Sequence, residues 1–570
     1  MASLQGASFS QLPLYHWDPV FDSPRGTSGQ HNKPYIDVVD DADIDLDPIK
    51  RFAKALEETD SCHYATDTLA KFCTGVNLQT LQQNPSVASQ LVAILEDSGG
   101  LTAWGLHQAL SNINTENQNS DVTDVQQTGQ NKAVKSHVRR LYATNLNCWT
   151  VFALAATAPT HQARVLGEFI LKHLRFDPLV YTKIPFVKLP IFALEFHLPY
   201  LAWRKHMLPR ADSQRTINGK GLRHYQDITF LRTMSKKADN SLTEYLYQAN
   251  ISCLVSGLDS YSWTAYFFND TYFEADDCPE NIQEYDAQEC PEHMLDPLTA
   301  GKRPRHLRPS CPREYFLIIS ETHIRRAKEE WQQSFYAVDD AIQSYKSEYW
   351  TQARKIDSCN RDDPKACSTS DRERCKLRED FQEWMRQCAE LLRKIINSLG
   401  QYAKERRIFL ETGINSFVSS DPLQSTRLSR VLTAIDQHFV ELERLSSNVQ
   451  NVMDSLCQDT HRDVNLRLSH ESNESALFQQ KTARDVKVLT WMTFLSLPFA
   501  LAAGLLSTQE GFIPIRPSPW ALLASIAILE ILVWLILGSL LGWNWFWENM
   551  KWARHQLGTR ERDIEGVELQ

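Results

Sequence analysis

Residues Ile251 to Phe273 read ISCLVSGLDSYSWTAYFFNDTYF, a stretch dense in aromatic and β-branched side chains. Such side chains fit the pleated, buried surface of a sheet, so the stretch predicts buried strands. Upstream, Val138 to Trp203 mixes helical and strand-like apolar patterns. Together they predict an α+β N-terminal body over residues 35–355, with insertions at 112–134 and 276–312. Its first insertion is rich in Asn, Gln, Ser and Thr and is predicted to be disordered, as is a tail over 1–34.

The overall composition narrows the class of protein. The chain has 570 residues, of which 42% are hydrophobic and 23% charged, and its formal net charge is −10. These values exclude a wholly disordered chain and a transporter built mostly of membrane helices. The sequence also shows no excess of positive charge of the kind that nucleic-acid-binding proteins carry. The 12 cysteines are too sparse for a disulfide scaffold, and no signal peptide is expected at the N-terminus.

A seven-residue apolar repeat marks the region after Pro422. Its first position is filled by Leu428, Ile435, Leu442, Val449 and Leu456. A repeat of this period is the seam of a coiled coil, so we predict a long coiled-coil-like stalk helix within a helical region spanning 356–487. An amphipathic helix that packs on its own domain would give the same repeat, and that alternative stays open.

Two long apolar runs follow the predicted stalk. Val488 to Leu506 reads VLTWMTFLSLPFALAAGLL, and Trp520 to Leu541 reads WALLASIAILEILVWLILGSLL. Each is close to the ~20 residues that cross a ~30 Å hydrocarbon layer. We therefore predict a C-terminal two-helix transmembrane hairpin in a lipid bilayer, with an outer loop at 507–519. Lysine and arginine flank the runs on the side away from this loop, which predicts that both termini, including the tail 542–570, are cytosolic.

The order of these elements resembles the CorA family of magnesium and divalent cation channels, and in particular the fungal CorA-like transporter-domain proteins. The similarity is carried by Phe192 to Tyr200 (FALEFHLPY), Ile251 to Phe273, Arg313 to Ile324 (REYFLIISETHI) and Asp485 to Pro498 (DVKVLTWMTFLSLP). The resemblance implies a CorA-like fold in which five chains surround a pore lined by the first membrane helix. It thus implies a homopentamer that transports Mg²⁺ or another divalent cation and holds no permanently bound cofactor.

One face of the first apolar run carries mostly small or hydroxyl-bearing side chains at helical spacing. These predicted pore-lining residues are Thr490, Thr493, Leu497, Ala500, Gly504 and Ser507. Such a face suits a narrow path for a hydrated cation, because it has little bulk, no positive charge and oxygens that contact water. Small residues that let membrane helices pack closely would produce the same pattern, and that alternative stays open as well.

The predicted outer mouth departs from the family's pattern. Where CorA relatives carry Gly-Met-Asn, this chain has Ser507, Thr508 and Gln509, followed by Glu510. Gln509 keeps the amide of the family's Asn on a longer side chain. Arg516 places a positive charge in the same loop. The acids between Asp37 and Asp47 are only suggestive of cation binding. The sequence therefore leaves the identity of any metal ligands unknown.

Two functions are compatible with these patterns. The first is a transmembrane channel or transporter for divalent cations, Mg²⁺ above all, with its pore lined by the first membrane helix. The second is a membrane-anchored scaffold or sensor that retains the CorA-like fold without conducting ions. An enzyme is not expected, because the sequence contains no P-loop, GxSxG, HExxH or Rossmann glycine fingerprint. His197, near Glu195, is interpreted as a hydrogen-bonded core histidine.

Overall fold

The computed structural model divides the chain into two compact units, Met1–Gln458 and Asp459–Gln570. The residues that it describes are 16–25, 32–38, 47–56, 62–84, 87, 89–96, 98–124, 137–176, 178–183, 190–232, 242–274, 282–286, 294–359, 367–419, 421–507, 519–520, 523–535 and 539.

Helices account for much of the described chain. They are α1 (Pro48–Lys54), α2 (Cys62–Phe72), α3 (Leu78–Gln83), α4 (Ala103–Asp124), α5 (Cys148–Thr157), α6 (Ala163–Arg175), α7 (Ile282–Asp286), α8 (Pro312–Cys359), α9 (Cys367–Ile408) and α10 (Pro422–Ser507). Residues 523–535 are helical as well. The last of the long helices, α10, has 86 residues and belongs to the first unit up to Gln458.

A single large sheet forms the centre of the first unit. The strands are β1 (Leu91–Leu95), β2 (Gly100–Thr102), β3 (His137–Thr144), β4 (Leu179–Lys183), β5 (Phe192–His206), β6 (Thr216–Ile217), β7 (Lys220–Gly221), β8 (Tyr225–Asp227), β9 (Thr243–Gly257) and β10 (Ser262–Asn269). The order across the sheet is β2-β1-β3-β10-β9-β5-β4, with β8 paired to β9, whereas β6 and β7 pair separately. Among the described strands, only β3 and β10 run parallel to each other.

The aromatic stretch 251–273 supplies the middle of this sheet, as predicted. It forms the end of β9 and all of β10, which pair antiparallel. Successive side chains on a strand point to opposite faces, and Phe267 and Phe268 accordingly enter two different apolar cores. At Gly257, a Cβ would come within 2.4 Å of Trp263 on the paired strand, so this close approach requires glycine.

The two cores lie between the sheet and a layer of helices on each face. One core joins the sheet to α8, α9 and the first part of α10, and it contains the fully buried Trp263 and Trp331. The other joins the sheet to α1, α2, α4, α5 and α6, with Phe152 and Phe169 at its centre. Apolar faces of helices and strands are stable when they cover each other in such layers. The predicted mixed α and β body is therefore confirmed.

The heptad residues of α10 are buried within their own chain. The five residues at the first heptad position are each at most 2% exposed and belong to the core shared with α8 and α9. Charged side chains border this contact, with Lys328 of α8 lying 2.6 Å from Glu441 and Arg406 of α9 lying 2.8 Å from Asp436. Over this part of α10, the alternative of an amphipathic helix that packs on its own domain describes the structure.

Two polar segments are more ordered than their composition suggests. Helix α4 runs to Asp124 and so extends into the predicted disordered insertion 112–134. Its inward face explains this, because Leu106 and Leu110 join the core and Asn114 Nδ2 donates to the carbonyl of Thr157 at 2.9 Å. Within the predicted loose tail, Phe21 is completely buried against the sheet core. Residues 1–15, 26–31 and 125–134 lie outside the described residues.

The predicted transmembrane hairpin is wrong. Within the described residues, no helix combines the length and the apolar character that crossing a membrane requires. The first apolar run forms the end of α10, directly after the charged residues Arg484, Asp485 and Lys487. In the second run, residues 523–535 are described as helix. The predicted placement of two spans with both termini cytosolic, which depended on the hairpin, is wrong as well.

Candidate functional site

The end of α10, in the second unit, exposes an unusual amount of apolar surface. Every described side chain between residues 461 and 504 is exposed. Among them, Phe478 is 71% exposed, Met492 67% and Leu477 65%. Contiguous exposed apolar surface of this kind marks an interaction site in most proteins.

The structure places the predicted pore-lining residues on this exposed part of α10. Thr490, Thr493, Leu497, Ala500 and Gly504 are all helical and exposed, and Ser507 is the last residue of the helix. The three other residues of the predicted outer mouth, Thr508, Gln509 and Glu510, lie outside the described residues.

The two threonines have a defined hydroxyl geometry. Thr490 Oγ1 donates to the carbonyl of Val486 at 2.7 Å, and Thr493 Oγ1 donates to the carbonyl of Leu489 at 2.8 Å. A hydroxyl has one hydrogen and two lone pairs. Since the hydrogen of each is used within the helix, each exposed hydroxyl oxygen can only accept from groups outside the helix, such as the waters around a hydrated cation.

The second apolar run approaches the first within the second unit. The rings of Trp491 and Trp534 are 6.3 Å apart and tilted by 55°. This contact brings helix 523–535 to the same part of α10 that carries the two threonines.

A second polar constellation lies deep in the first unit, between the sheet and α6. Lys172 Nζ and His197 Nε2 each lie 2.8 Å from the same carboxylate oxygen of Glu195. On its other side, His197 Nδ1 lies 2.7 Å from Ser252 Oγ, which lies 2.8 Å from His173 Nδ1. His173, His197 and Ser252 have no exposed surface. These contacts confirm the interpretation of His197 as a hydrogen-bonded core histidine.

The direction of the hydrogen bonds follows from Glu195. A carboxylate only accepts, so His197 donates from Nε2 and, as a neutral ring, accepts at Nδ1 from the hydroxyl of Ser252. The Ser252 oxygen then accepts from His173 Nδ1. This leaves the Nε2 lone pair of His173 facing Asp270 Oδ1, 3.6 Å away. A proton on that nitrogen would complete the chain to Asp270.

Burial and neighbouring charges set the protonation states of Glu195, His197 and His173. Burial would raise the pKa of Glu195, but the charge of Lys172 and the hydrogen bond from His197 lower it to about 2. The pKa of His197 is lowered by burial. Burial also lowers the pKa of His173, to about 4, against the pull of Asp270. Near neutral pH the carboxylate is therefore ionised and both imidazoles are neutral.

Asp270 links this chain to a buried ion cluster. Its carboxylate pairs with Arg215, and its Oδ2 lies 2.6 Å from Arg223 Nε. Arg223 also donates to the carbonyls of His173 and Leu174, at 2.7 and 3.2 Å. It thus satisfies carbonyls that the C-terminal end of α6 leaves open. Burial would raise the pKa of Asp270, but the two arginines hold it well below its usual range.

The buried hydrogen-bond network joins a carboxylate, an imidazole and a hydroxyl in the order that hydrolases use. Its geometry, however, is that of a structural network. Ser252 is completely buried and its oxygen lies between two imidazoles, whereas a nucleophile must meet its substrate. The sequence does not reveal this arrangement, because Ser252 lies 55 residues from His197. Only the register of β5 and β9, which pairs the two residues directly, brings them together.

The acidic side chains that the structure describes do not gather into a cation site. Among the described residues, no group of three or more His, Cys, Asp or Glu side chains has a geometry that could hold a metal ion. Within the acidic stretch of the N-terminal region, Asp47 caps α1 by accepting from the backbone of Ile49 at 3.1 Å. A carboxylate at the N-cap stabilises the helix start, so Asp47 has a structural role.

No protein-family model matches the chain, and no curated protein sequence matches it. Among solved structures, the chain is similar to the CorA magnesium transporter from Methanocaldococcus jannaschii, at 9% sequence identity and a TM-score of 0.27. That similarity covers 72% of this chain and 92% of the archaeal one.

Proposed function

We propose that this chain takes part in divalent cation transport, with Mg²⁺ as the transported ion, and that it acts without enzymatic catalysis. The observation that supports the proposal best is the exposed face of α10 with the hydroxyls of Thr490 and Thr493. Each oxygen keeps lone pairs that can accept from donors outside the helix. Waters bound to Mg²⁺ direct their hydrogens away from the ion, and Mg²⁺ gives up these waters reluctantly. A surface of acceptor oxygens therefore suits the hydrated ion.

The cation path is formed by several copies of the chain, because one helix cannot surround an ion. The exposed apolar side chains of α10, such as Phe478 and Met492, supply the surface through which the copies associate. The resemblance to the CorA family suggests five copies. In this arrangement Thr490, Thr493, Leu497, Ala500, Gly504 and Ser507 line the path.

A second candidate is a scaffold or sensor that does not conduct ions. It is favoured by one observation, the replacement of the family's Gly-Met-Asn triplet by Ser507, Thr508 and Gln509. The scaffold would use the same association of α10 helices without a working cation path.

Flux measurements distinguish the two candidates. Purified full-length protein is incorporated into liposomes, and uptake of Mg²⁺, Co²⁺ and Ni²⁺ is followed with an internal dye. Transport predicts uptake above that of empty liposomes, lowered by Gln509→Ala and by Glu510→Ala. Assembled protein that passes none of the three ions would contradict transport and favour the scaffold. In that case the triple change Ser507→Gly, Thr508→Met and Gln509→Asn tests whether the rest of the path is intact.

A further inference from the structure

A cavity of about 310 Å³ opens in the first unit, at the edge of the sheet where β3 and β10 end. Thr144 and Asn145 reach it from the end of β3, and Thr271 and Tyr272 reach it from the loop after β10. Because these two strands are parallel, the loops that follow them leave from the same edge. In open sheets of parallel strands, ligands bind at the carboxyl edge, and the cavity lies at the corresponding edge of this one parallel pair.

Hydrogen bonds hold the two loops that follow β3 and β10 in a fixed geometry at the cavity. Asn145 adopts a left-handed backbone conformation, with φ of 49°. Its side chain donates to Thr271 Oγ1 at 3.1 Å and accepts from the backbone N–H of Thr271 at 2.8 Å. A non-glycine residue with positive φ is uncommon, although asparagine tolerates it better than most. The two loops that line the cavity are therefore tied to each other before any ligand arrives.

The charged groups of the lining all have partners within the protein. Arg215 and Asp212, whose side chains are 1% and 2% exposed, form a two-point ion pair at 3.0 and 2.9 Å. Glu274 is paired with Arg204, which lies behind it, at 2.5 Å. The remaining cation of the lining, Arg210, donates to the backbone carbonyl of Glu274. The pairing of these groups within the protein favours an uncharged ligand over a charged one.

The other polar groups of the lining are neutral amides and hydroxyls. Gln90 Nε2 donates to Gln214 Oε1 at 3.1 Å across one side, and Gln283 stands exposed on another. Amides and hydroxyls both donate and accept hydrogen bonds, as do the hydroxyls of sugars and polyols. Leu91 and the ring of Tyr272 add apolar surface. We propose that this cavity binds a small uncharged, hydroxyl-rich molecule of the monosaccharide or cyclitol type.

Ligand-observed saturation-transfer NMR on the full-length protein tests the proposal, with D-glucose and myo-inositol as the uncharged probes. Inorganic phosphate and Mg²⁺ serve as charged competitors. We expect saturation transfer to at least one uncharged probe and no displacement by phosphate or Mg²⁺. Gln214→Ala and Gln283→Ala should each weaken binding about fivefold, the loss that corresponds to one neutral hydrogen bond.

The control is Gln343→Ala, which removes an exposed glutamine of α8 outside the cavity. It should leave binding unchanged. The thermal unfolding midpoint is measured for each variant, and the exposed position of Gln283 makes a folding defect there unexpected. Absence of transfer to both probes overturns the proposal. So does binding that survives both cavity variants undiminished, or displacement of the probes by phosphate or Mg²⁺.

Discussion

Ser252 Oγ lies 2.7 Å from His197 Nδ1, and the two residues are direct partners in the ladder between β5 and β9. This relationship fixes the tautomer of His197, because its other nitrogen donates to Glu195. It also leaves the Ser252 oxygen as the acceptor for His173. One hydroxyl thus satisfies one nitrogen of each of two imidazoles that have no exposed surface.

Replacing Ser252 by alanine should destabilise the first unit strongly. The change leaves one nitrogen of His197 and one of His173 buried without a partner, at roughly 1–3 kcal/mol for each. We expect a loss of about 3 kcal/mol in the free energy of unfolding, measured by urea denaturation at neutral pH. The matched control is Ser256→Ala, on the same strand, since Ser256 donates one hydrogen bond to the carbonyl of Phe192. An equal effect of the two changes would contradict the shared role of Ser252.

Neutralising Asp270 should cost more than neutralising a surface carboxylate. Asp270→Asn keeps the shape of the side chain but leaves Arg215 and Arg223 without their shared buried counter-charge. Breaking a buried ion pair from one side costs about 3–5 kcal/mol. The control, Asp227→Asn, alters an exposed residue and should change stability by less than about 0.5 kcal/mol. Similar stabilities of the two variants would speak against the cluster as a stabilising element.

Stability should fall as the pH drops from about 6.5 to about 4. Burial lowers the pKa of both His173 and His323 to about 4. In this range the unfolded chain binds protons that the native chain does not bind, so each group contributes up to about 1.4 kcal/mol per pH unit of lost stability. Below about pH 4.5, Glu195, whose folded pKa is about 2, adds a further loss as the unfolded carboxyl takes up its proton.

The measurement is the free energy of unfolding between pH 7.5 and pH 4, for the natural chain and for His323→Gln. Gln can still donate to the carbonyl of Leu298, which His323 contacts at 2.8 Å, but it does not titrate. The variant should therefore show a shallower decline. Parallel curves for the two proteins would show that His323 does not titrate differently in the folded and unfolded states.

The sequence predicts much of the first unit, because helices and strands that bury one face have apolar residues at regular spacings along the sequence. The stretch 251–273 forms strands, and the heptad residues of α10 are buried. Contacts between distant segments are not readable in the same way. Ser252, Asp270 and Arg223 all contact His173. They come together only through the register of the sheet and the loop before β8.

The same limit explains the error at the C-terminal end. A run of apolar residues shows only that a segment is hydrophobic. Helices that span a membrane are hydrophobic, and so are helices that bury an apolar face against another chain. Residues 488–506 belong to one long helix with the charged residues before them. The sequence alone does not distinguish these outcomes.

Association through the exposed end of α10 can be tested directly. Leu477→Ser and Phe478→Ser together should shift the full-length protein from oligomer towards monomer in analytical ultracentrifugation, because both side chains are highly exposed apolar groups. Leu423→Ser is the matched control, since Leu423 is 75% exposed on the first turn of the same helix. We expect at least a tenfold weaker association for the double variant, which corresponds to about 1.4 kcal/mol. An oligomer unaffected by the double change would place the interface elsewhere.

The most direct test of the proposed function is Mg²⁺ uptake by liposomes containing the double variant Thr490→Val and Thr493→Val. Valine matches threonine in shape, so the helix is kept while both acceptor oxygens are lost. Thr426→Val, which removes a hydroxyl with the same backbone bond at the start of α10, is the control. The account predicts that uptake falls several-fold in the double variant and is unchanged in the control. Equal uptake by all three proteins, or no uptake by any of them, would contradict it.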